Sequence, residues 1–153
     1  MISARRVATL ALVGLAACGG GDVITTIETT TFAPSLGVNL AASTLTQTGL
    51  YYRDITVGTG SAVLSGHLIK VHYNGYFPDG SSFDANVAPA TPFAFTLGAH
   101  QVIEGWEEGV AGMNVGGTRQ LIVPPALGYG TNGQGVIPPN AILVFSVTVV
   151  SSN

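Results

Sequence analysis

The residue types that most often carry out enzyme chemistry are few in this sequence, and they are not arranged to act together. His67 and His72 are five positions apart, so on one strand they face opposite sides, and His100 stands alone. We interpret these histidines as surface residues and predict no metal site. The tandem carboxylates Glu107 and Glu108 diverge on a helix, and we interpret them as a solvated face. No Gly-x-Ser-x-Gly nucleophile motif is present.

One glycine-rich run matches the G-x-G-x-x-G fingerprint of a dinucleotide-binding loop, but the helix that must follow such a loop is not predicted. Residues 128–133 read Gly-Tyr-Gly-Thr-Asn-Gly. In a dinucleotide site this run opens a long helix, whose N-terminus holds the pyrophosphate. Here residues 136–139 are Val-Ile-Pro-Pro, which cannot open such a helix. A dinucleotide site is therefore rejected.

Short stretches rich in aromatic and aliphatic residues are the strongest signal in the chain. They are residues 71–73 (Val-His-Tyr), 82–84 (Ser-Phe-Asp), 92–93 (Pro-Phe), 102–110 (Val-Ile-Glu-Gly-Trp-Glu-Glu-Gly-Val), 135–139 (Gly-Val-Ile-Pro-Pro) and 143–145 (Leu-Val-Phe). In sequence and in spacing they resemble the FKBP-type peptidyl-prolyl cis-trans isomerases, the macrolide-binding immunophilins. The resemblance covers about residues 48–151, two-thirds of the chain.

Prolyl isomerisation makes unusual demands on a protein. The barrier to rotation about a peptide bond is about 18–20 kcal/mol, because the C–N bond has partial double-bond character. At the twisted transition state the amide loses its resonance and much of its dipole, so an apolar pocket disfavours the planar ground state. No nucleophile, metal, cofactor or ATP is required. A dry aromatic pocket for the proline ring and a few donors to the flanking carbonyl groups are sufficient.

The resemblance implies which residues form that pocket, with Trp106 at its floor. The residues implied in catalysis are Tyr73, Phe83, Asp84, Ile103, Tyr129 and Phe145. The residues implied in substrate binding are Phe93, Val102, Trp106, Val136 and Ile137. The Ile103 N–H and the Tyr129 hydroxyl would donate to substrate carbonyl groups, and Asp84 would face the reacting amide. Tyr73 and Asp84 are expected to hydrogen-bond to each other. Taken singly, each aromatic residue could equally be packing the core.

The chain departs from the family pattern in three places. The loop at residues 130–135 is one residue shorter than in the best-studied eukaryotic members and contains no histidine. Gln101 stands where a glutamate is common. Pro89 or Ala90 occupies the region where an arginine often pairs with the aspartate. These differences leave the pocket residues in place, but they leave macrolide affinity and the residue preferred before proline open.

The composition limits the partners of the chain. At 153 residues there is room for one domain and a tail. Lys and Arg number 5 against 8 Asp and Glu, and two of the five, Arg5 and Arg6, lie near the N-terminus. The remainder has no basic face for phosphates, so nucleic acid is not expected as a partner. Larger relatives dimerise through an extra N-terminal helical domain, for which there is no room here, and we expect a monomer.

The N-terminus is typical of a lipoprotein signal peptide. Arg5 and Arg6 precede an apolar run at residues 7–17, which is shorter than the roughly 20 residues that span a bilayer. Residues 15–18, Leu-Ala-Ala-Cys, resemble a bacterial lipobox. We therefore expect residues 1–17 to be removed and Cys18, the single cysteine, to be lipidated. A plain secretory signal, the alternative, would also export the protein. Gly19 favours the outer membrane, facing the periplasm.

The segment that follows, residues 18–47, is rich in Gly, Thr, Ser and Ala and is interpreted as a tether. Its apolar residues also allow it to pack on the domain as an N-terminal extension. Those residues are Phe32, Leu36, Val38 and Leu40. The isomerase domain itself is predicted at residues 48–153.

The remaining pattern predicts an α+β fold. Strand-like runs occur at residues 50–57, 67–77, 82–84, 93–97, 118–123 and 141–150. Trp106, Val110 and Met113 recur at helical spacing. We expect an antiparallel sheet of about five strands wrapped around one short α-helix, as in the family.

The favoured hypothesis is an exported, lipid-anchored isomerase that acts on Xaa-Pro bonds of proline-containing polypeptides during folding, with macrolides as possible inhibitors. The alternative is a non-catalytic peptide- or macrolide-binding, chaperone-like module of the cell envelope. A structural β-sandwich lipoprotein is a third alternative, but it does not account for the Gly-Trp-Glu-Glu-Gly run at residues 105–109.

Overall fold

An antiparallel sheet dominates the part of the chain that the computed structural model describes, residues 26–153. Its seven strands are β1 (Thr44–Leu45), β2 (Tyr51–Thr56), β3 (Leu68–Tyr76), β4 (Ser82–Asn86), β5 (Phe93–Thr96), β6 (Thr118–Val123) and β7 (Leu143–Ser152). The order is β1-β2-β6-β7-β3-β4, and β5 pairs with β3. One α-helix, α1 (Glu104–Val110), lies against the sheet, and short 3₁₀ turns occur at Ile27–Thr29, Pro34–Leu36, Leu40–Ala42 and Pro125–Leu127.

The predicted fold class is confirmed, with more strands than expected. The two-residue β1 comes from the N-terminal segment, where no strand was predicted. β4 and β5 pair with different stretches of β3, residues 73–76 and 68–71, and therefore count separately. Because β3 is nine residues long, it can pair with both short strands along one edge.

Alternation of residues along the long strands places one face of the sheet against the helix. In β3, Ile69 and Val71 are fully buried, and in β7 the same is true of Val147 and Val149. Successive side chains of a strand point to opposite faces, so these residues share the concave side of the sheet. The expected burial of alternate residues in β3 and β7 is confirmed.

Two glycines allow α1 to lie directly on β6. A Cβ atom on Gly105 would be 2.6 Å from Cγ1 of Val123, and one on Gly109 would be 2.6 Å from Cδ2 of Leu121. Glycine lowers helix stability by about 1 kcal/mol relative to alanine. The close approach offsets this cost, because it buries Trp106 against the core.

Arg119 fixes the C-terminal end of the helix. Its Nη1 donates to the carbonyl oxygens of Gly109 at 3.0 Å and Ala111 at 3.3 Å. Its Nε and Nη2 donate to the carboxylate of Asp54 at 2.7 and 3.0 Å, and its guanidinium lies 4.6 Å from the ring centre of Tyr52. A cation at this end also complements the helix dipole. The side chain therefore ties α1 to both β2 and β6.

The interpretation of Glu107 and Glu108 as a solvated face is wrong. Both residues are half-buried. Oε2 of Glu107 accepts a hydrogen bond from the amide of Gly98 at 2.6 Å, and Oε2 of Glu108 accepts one from the hydroxyl of Thr48 at 2.6 Å. Gly98 lies in the loop before α1 and Thr48 lies in the turn between β1 and β2, and the helical pattern alone does not reveal either contact.

The N-terminal segment packs on the convex side of the sheet, so its described part follows the extension alternative. Ile27 is buried with Tyr51, Ile122 and Val144 of the sheet and with Ile142, which directly precedes β7. The partly buried residues packed against this cluster include Phe32, Leu36, Val38 and Leu40. The carbonyl oxygens of Leu36 and Gly37 accept hydrogen bonds from Gln120 and Arg53 at 2.7 and 2.8 Å.

The predicted signal peptide, Cys18 and the start of the tether lie outside the described residues. Within residues 26–153, no helix is long and apolar enough to cross a membrane. The same residues contain no group of three or more potential metal ligands.

Substitution of Gly105 tests the close contact between α1 and β6. Gly105→Ala is expected to lower the free energy of unfolding by about 1 kcal/mol, because overpacking outweighs the gain in helix propensity. Val123→Ala should relieve the clash, so the double variant should be more stable than the sum of the single effects by about 1 kcal/mol. Denaturant unfolding of the four proteins measures this coupling. Additive effects would contradict the proposed contact.

Candidate active site

Trp106 forms the floor of an aromatic cluster that we call the bowl, which consists of Tyr73, Phe93, Trp106 and Phe145. Trp106 is only 4% exposed. Three rings meet it nearly edge-on, with centroid distances of 5.0 Å to Tyr73, 5.4 Å to Phe145 and 6.3 Å to Phe93. Edge-to-face pairs of this kind are a favoured aromatic geometry. Its buried Nε1 has no hydrogen-bond partner among the described residues.

Phe83 extends the wall of the bowl beyond Phe145. The two rings are perpendicular, with centroids 5.5 Å apart. They meet over Gly75, where a Cβ atom would lie 2.6 Å from Cζ of Phe83 and 3.0 Å from Cε1 of Phe145. A larger residue at position 75 would displace the two rings, so this glycine shapes the site.

Two aromatic residues that support the bowl were missed by sequence analysis. Phe95 is buried, with its ring 5.9 Å from Trp106 and 6.0 Å from Phe93. Residues two apart on a strand share a face, so the spacing from Phe93 could have revealed it. Phe77 packs on Phe83 at 5.0 Å from just beyond the end of β3. It ends the predicted run 67–77 in phase with Ile69, Val71 and Tyr73, so the alternation could have revealed it.

The predicted hydrogen bond between Tyr73 and Asp84 is present. The Tyr73 hydroxyl donates to Oδ2 of Asp84 at 2.7 Å, and Oδ1 accepts from the amide of Ala85 at 2.9 Å. The register between β3 and β4 produces this pair, because Asp84 lies opposite Gly75, two residues from Tyr73. The carboxylate is thereby held at the edge of the bowl, where it remains exposed to solvent.

The two tyrosines near Asp84 are held in their protonated forms. Burial, followed by the hydrogen bond to Asp84, raises the pKa of Tyr73 well above its ordinary value. Burial, followed by the charge of Asp84, raises the pKa of Tyr129. Both effects disfavour the tyrosinate anion. The two hydroxyls are therefore hydrogen-bond donors at neutral pH.

Ile103 presents a backbone donor where the loop meets the helix. As the N-cap of α1 it has extended backbone angles, φ −61° and ψ 150°. Its carbonyl oxygen accepts from the amides of Trp106 and Glu107 at 2.9 and 3.2 Å, while its own N–H makes no hydrogen bond to another described residue. The side chains of Val102 and Ile103 pack on the core beside Trp106. A substrate carbonyl group is a suitable partner for this N–H.

The loop between β6 and β7 supplies the last residues of the site. Ile137 is 7% exposed, and both it and Tyr129 pack with the core cluster that contains Trp106 and Phe145. Paired hydrogen bonds between Gln134 and Ile137, at 2.8 and 2.9 Å, close the tip of the loop. Val136 is 72% exposed and does not join this cluster.

The structure thus brings together ten of the eleven predicted site residues. Those ten are Tyr73, Phe83, Asp84, Phe93, Val102, Ile103, Trp106, Tyr129, Ile137 and Phe145. The side chain of Gln101, a departure from the family pattern, accepts a hydrogen bond from the amide of Thr96 at 2.8 Å and so steadies the loop before α1.

Comparison with known proteins identifies the family to which this chain is similar. The family model described as FKBP-type peptidyl-prolyl cis-trans isomerase matches residues 60–150. The FK506-binding protein of Neisseria meningitidis serogroup B is 44% identical over 103 residues, which are 67% of this chain and 94% of that protein.

Solved structures agree with this comparison. AtFKBP13 is 33% identical with a TM-score of 0.68, covering 72% of this chain and 98% of AtFKBP13. FkpA from Escherichia coli is 36% identical with a TM-score of 0.68, covering 73% of this chain. The chain spans about half the length of FkpA, 52%. The chain belongs to the FKBP-type peptidyl-prolyl cis-trans isomerases, and its activity is isomerisation of the peptide bond that precedes proline.

Removal of the Tyr73 hydroxyl tests its part in the site. Tyr73→Phe keeps the ring on Trp106 but releases Asp84, and kcat/KM for an Xaa-Pro peptide is expected to fall about threefold to tenfold. Tyr51→Phe is the matched control, because that hydroxyl donates to Glu28 on the convex side of the sheet. The control should remain within about twofold of wild type. Equal activities for the two variants would exclude a role for the hydroxyl.

The raised pKa of Tyr73 predicts an unusual tolerance of high pH. The native protein holds this proton more tightly than the unfolded chain does, so the hydroxyl stays neutral as the pH passes the ordinary tyrosine value of about 10. Its stabilising contribution is complete below that value and is lost only as the pH rises through the raised pKa. We expect kcat/KM to stay level to about pH 10. A fall centred at about pH 10 or below, which Tyr73→Phe abolishes, would contradict this assignment.

Proposed function

We propose that the bowl is the isomerase site, with the proline ring of the substrate lying over Trp106. The observation that carries this proposal is the buried indole surrounded edge-on by Tyr73, Phe93 and Phe145. The surrounding aromatic side chains exclude water from the substrate amide. The twisted transition state is less polar than the planar ground state and is therefore favoured in this apolar site. The barrier that must be lowered is about 18–20 kcal/mol.

Three polar groups orient the peptide around the proline. The Ile103 N–H and the Tyr129 hydroxyl donate to the carbonyl groups on either side, which fixes the rotating bond over the floor. Asp84 faces the reacting amide, and Tyr73 holds this carboxylate in place. No proton is transferred in this scheme, so these groups act by position and by electrostatic complementarity.

A non-catalytic binding module with the same bowl is the second candidate. Such a module would tolerate the loss of the polar groups, because apolar contacts alone would retain the ligand. The presence of the Tyr73–Asp84 pair favours catalysis. Because the names of the relatives refer to binding of FK506, we further propose that macrolides of this class occupy the bowl in competition with peptides.

The N-terminal sequence supports a proposal for the location of the enzyme. We propose that residues 1–17 direct export, that Cys18 carries the lipid, and that the enzyme acts as a monomer on folding polypeptides of the cell envelope, at the periplasmic face of the outer membrane. Ile27, which packs on the sheet, lies nine residues after Cys18 in the sequence. At about 3.5 Å per residue, a fully extended chain would place Ile27 within about 32 Å of the lipid.

Replacement of the single cysteine tests the anchor. In a bacterial host that lipidates exported proteins, wild type is expected in the membrane fraction with incorporated radiolabelled fatty acid. Cys18→Ala should lose the label and leave the membrane fraction, because no second cysteine exists to accept lipid. Ser43→Ala, in the extension, serves as the control and should retain the label. A Cys18→Ala variant that remained labelled would contradict the proposal.

A further inference from the structure

A second concave surface adjoins the bowl on the far side of the β6–β7 loop. It has a volume of about 1460 Å³. Five of its lining residues are prolines, Pro78, Pro124, Pro125, Pro138 and Pro139, out of eight prolines in the whole chain. We call this surface the proline-walled groove.

The groove and the bowl share their walls. Phe77 lines the groove, and its ring packs at 5.0 Å on Phe83, which in turn packs on Phe145 of the bowl. In the β6–β7 loop, Ile137 is buried in the core that floors the bowl, whereas its neighbour Val136 lines the groove and is 72% exposed. A polypeptide that leaves the bowl across this loop therefore enters the groove.

The N-terminal extension completes the groove. Thr30 and Thr31 line it, and the amide of Ala33 donates to the carbonyl oxygen of Pro78 at 2.8 Å, which joins the extension to the groove wall. These extension residues lie outside the region matched by the family model, residues 60–150. This wall is therefore supplied by the chain's own N-terminal segment.

The residues that line the groove favour an apolar ligand. Proline has no backbone N–H and a fixed φ, so proline walls are rigid and lose little conformational freedom when a ligand binds. Asp79 is the one charged residue among the lining residues. Its carboxylate accepts hydrogen bonds from the amide and the hydroxyl of Ser81 at 2.8 and 2.6 Å, which lowers its pKa. The negative charge of Asp79 would repel an acidic ligand.

We propose that the proline-walled groove binds apolar side chains of the same unfolded polypeptide whose Xaa-Pro bond occupies the bowl, and that it discriminates against acidic segments. This inference rests on the bowl being the isomerase site. Binding in the groove would make the enzyme selective for proline bonds that lie near exposed apolar residues. An unfolded or partly folded chain exposes such residues, whereas a folded protein buries them. Binding in the groove raises the local concentration of proline bonds at the bowl.

A pair of matched double variants tests the groove in the full chain. Thr31→Glu/Ala126→Glu places two carboxylates at exposed positions of the groove. Thr44→Glu/Ala41→Glu makes the same chemical change at exposed positions of the extension that do not line it. Each protein is assayed on a tetrapeptide containing one Xaa-Pro bond, and on the refolding of a reduced polypeptide whose cysteines carry neutral carbamidomethyl groups and whose refolding is limited by one prolyl bond.

The groove variant is expected to keep tetrapeptide kcat/KM within about twofold of wild type and to lose about fivefold or more on the polypeptide. The control variant should match wild type on both substrates. Equal polypeptide activity for the two double variants would overturn the inference. Absence of tetrapeptide activity in wild type would instead refute the bowl as isomerase site.

A single, smaller substitution tests the same proposal in case the double variant misfolds. Asp79→Asn removes the one charge of the groove and should raise kcat/KM for a polypeptide with glutamates beside its proline, with little change for an uncharged one. An unchanged ratio between these two substrates would overturn the proposed discrimination.

Discussion

The direct contact between α1 and β6 is the constraint on which the site depends. Gly105 and Gly109 bring the helix onto Leu121 and Val123, and Trp106 of the same helix packs in the core cluster that contains both residues. A helix of seven residues is too short to be stable alone, so the sheet must hold it. Arg119 at its C-terminal end and the carboxylate of Glu107 on its side limit the movement of this floor.

In the proposed mechanism, catalysis depends on the rigidity of that floor. An apolar site lowers a rotational barrier only when the rings around it remain in place as the amide twists. Tyr73 and Phe145 meet Trp106 edge-on, while Phe95 supports the indole from the core. The polar groups are few and lie at the rim, so the centre of the proposed site is apolar.

The sequence predicted two kinds of feature: strands whose residues alternate between apolar and polar, and site residues whose spacing matches the family. Alternation predicted β3 and β7, and the family resemblance predicted Tyr73, Asp84 and Trp106 as neighbours. Contacts between distant segments escaped prediction. The carboxylate of Glu108 accepts a hydrogen bond from the hydroxyl of Thr48, and the helical pattern gives no sign of this partner in the turn before β2. The packing of residues 26–47 on the sheet was one of two alternatives that the sequence left open, because apolar residues occur there within a composition typical of a tether.

The rate of Xaa-Pro interconversion in a short peptide, measured by exchange NMR in H₂O and in D₂O with catalytic amounts of the enzyme, is the most direct test of this account. A dry aromatic site that moves no proton predicts clear acceleration with a solvent isotope ratio of about 1. No acceleration, or a ratio of about 2 or more as expected for proton transfer in the transition state, would contradict it.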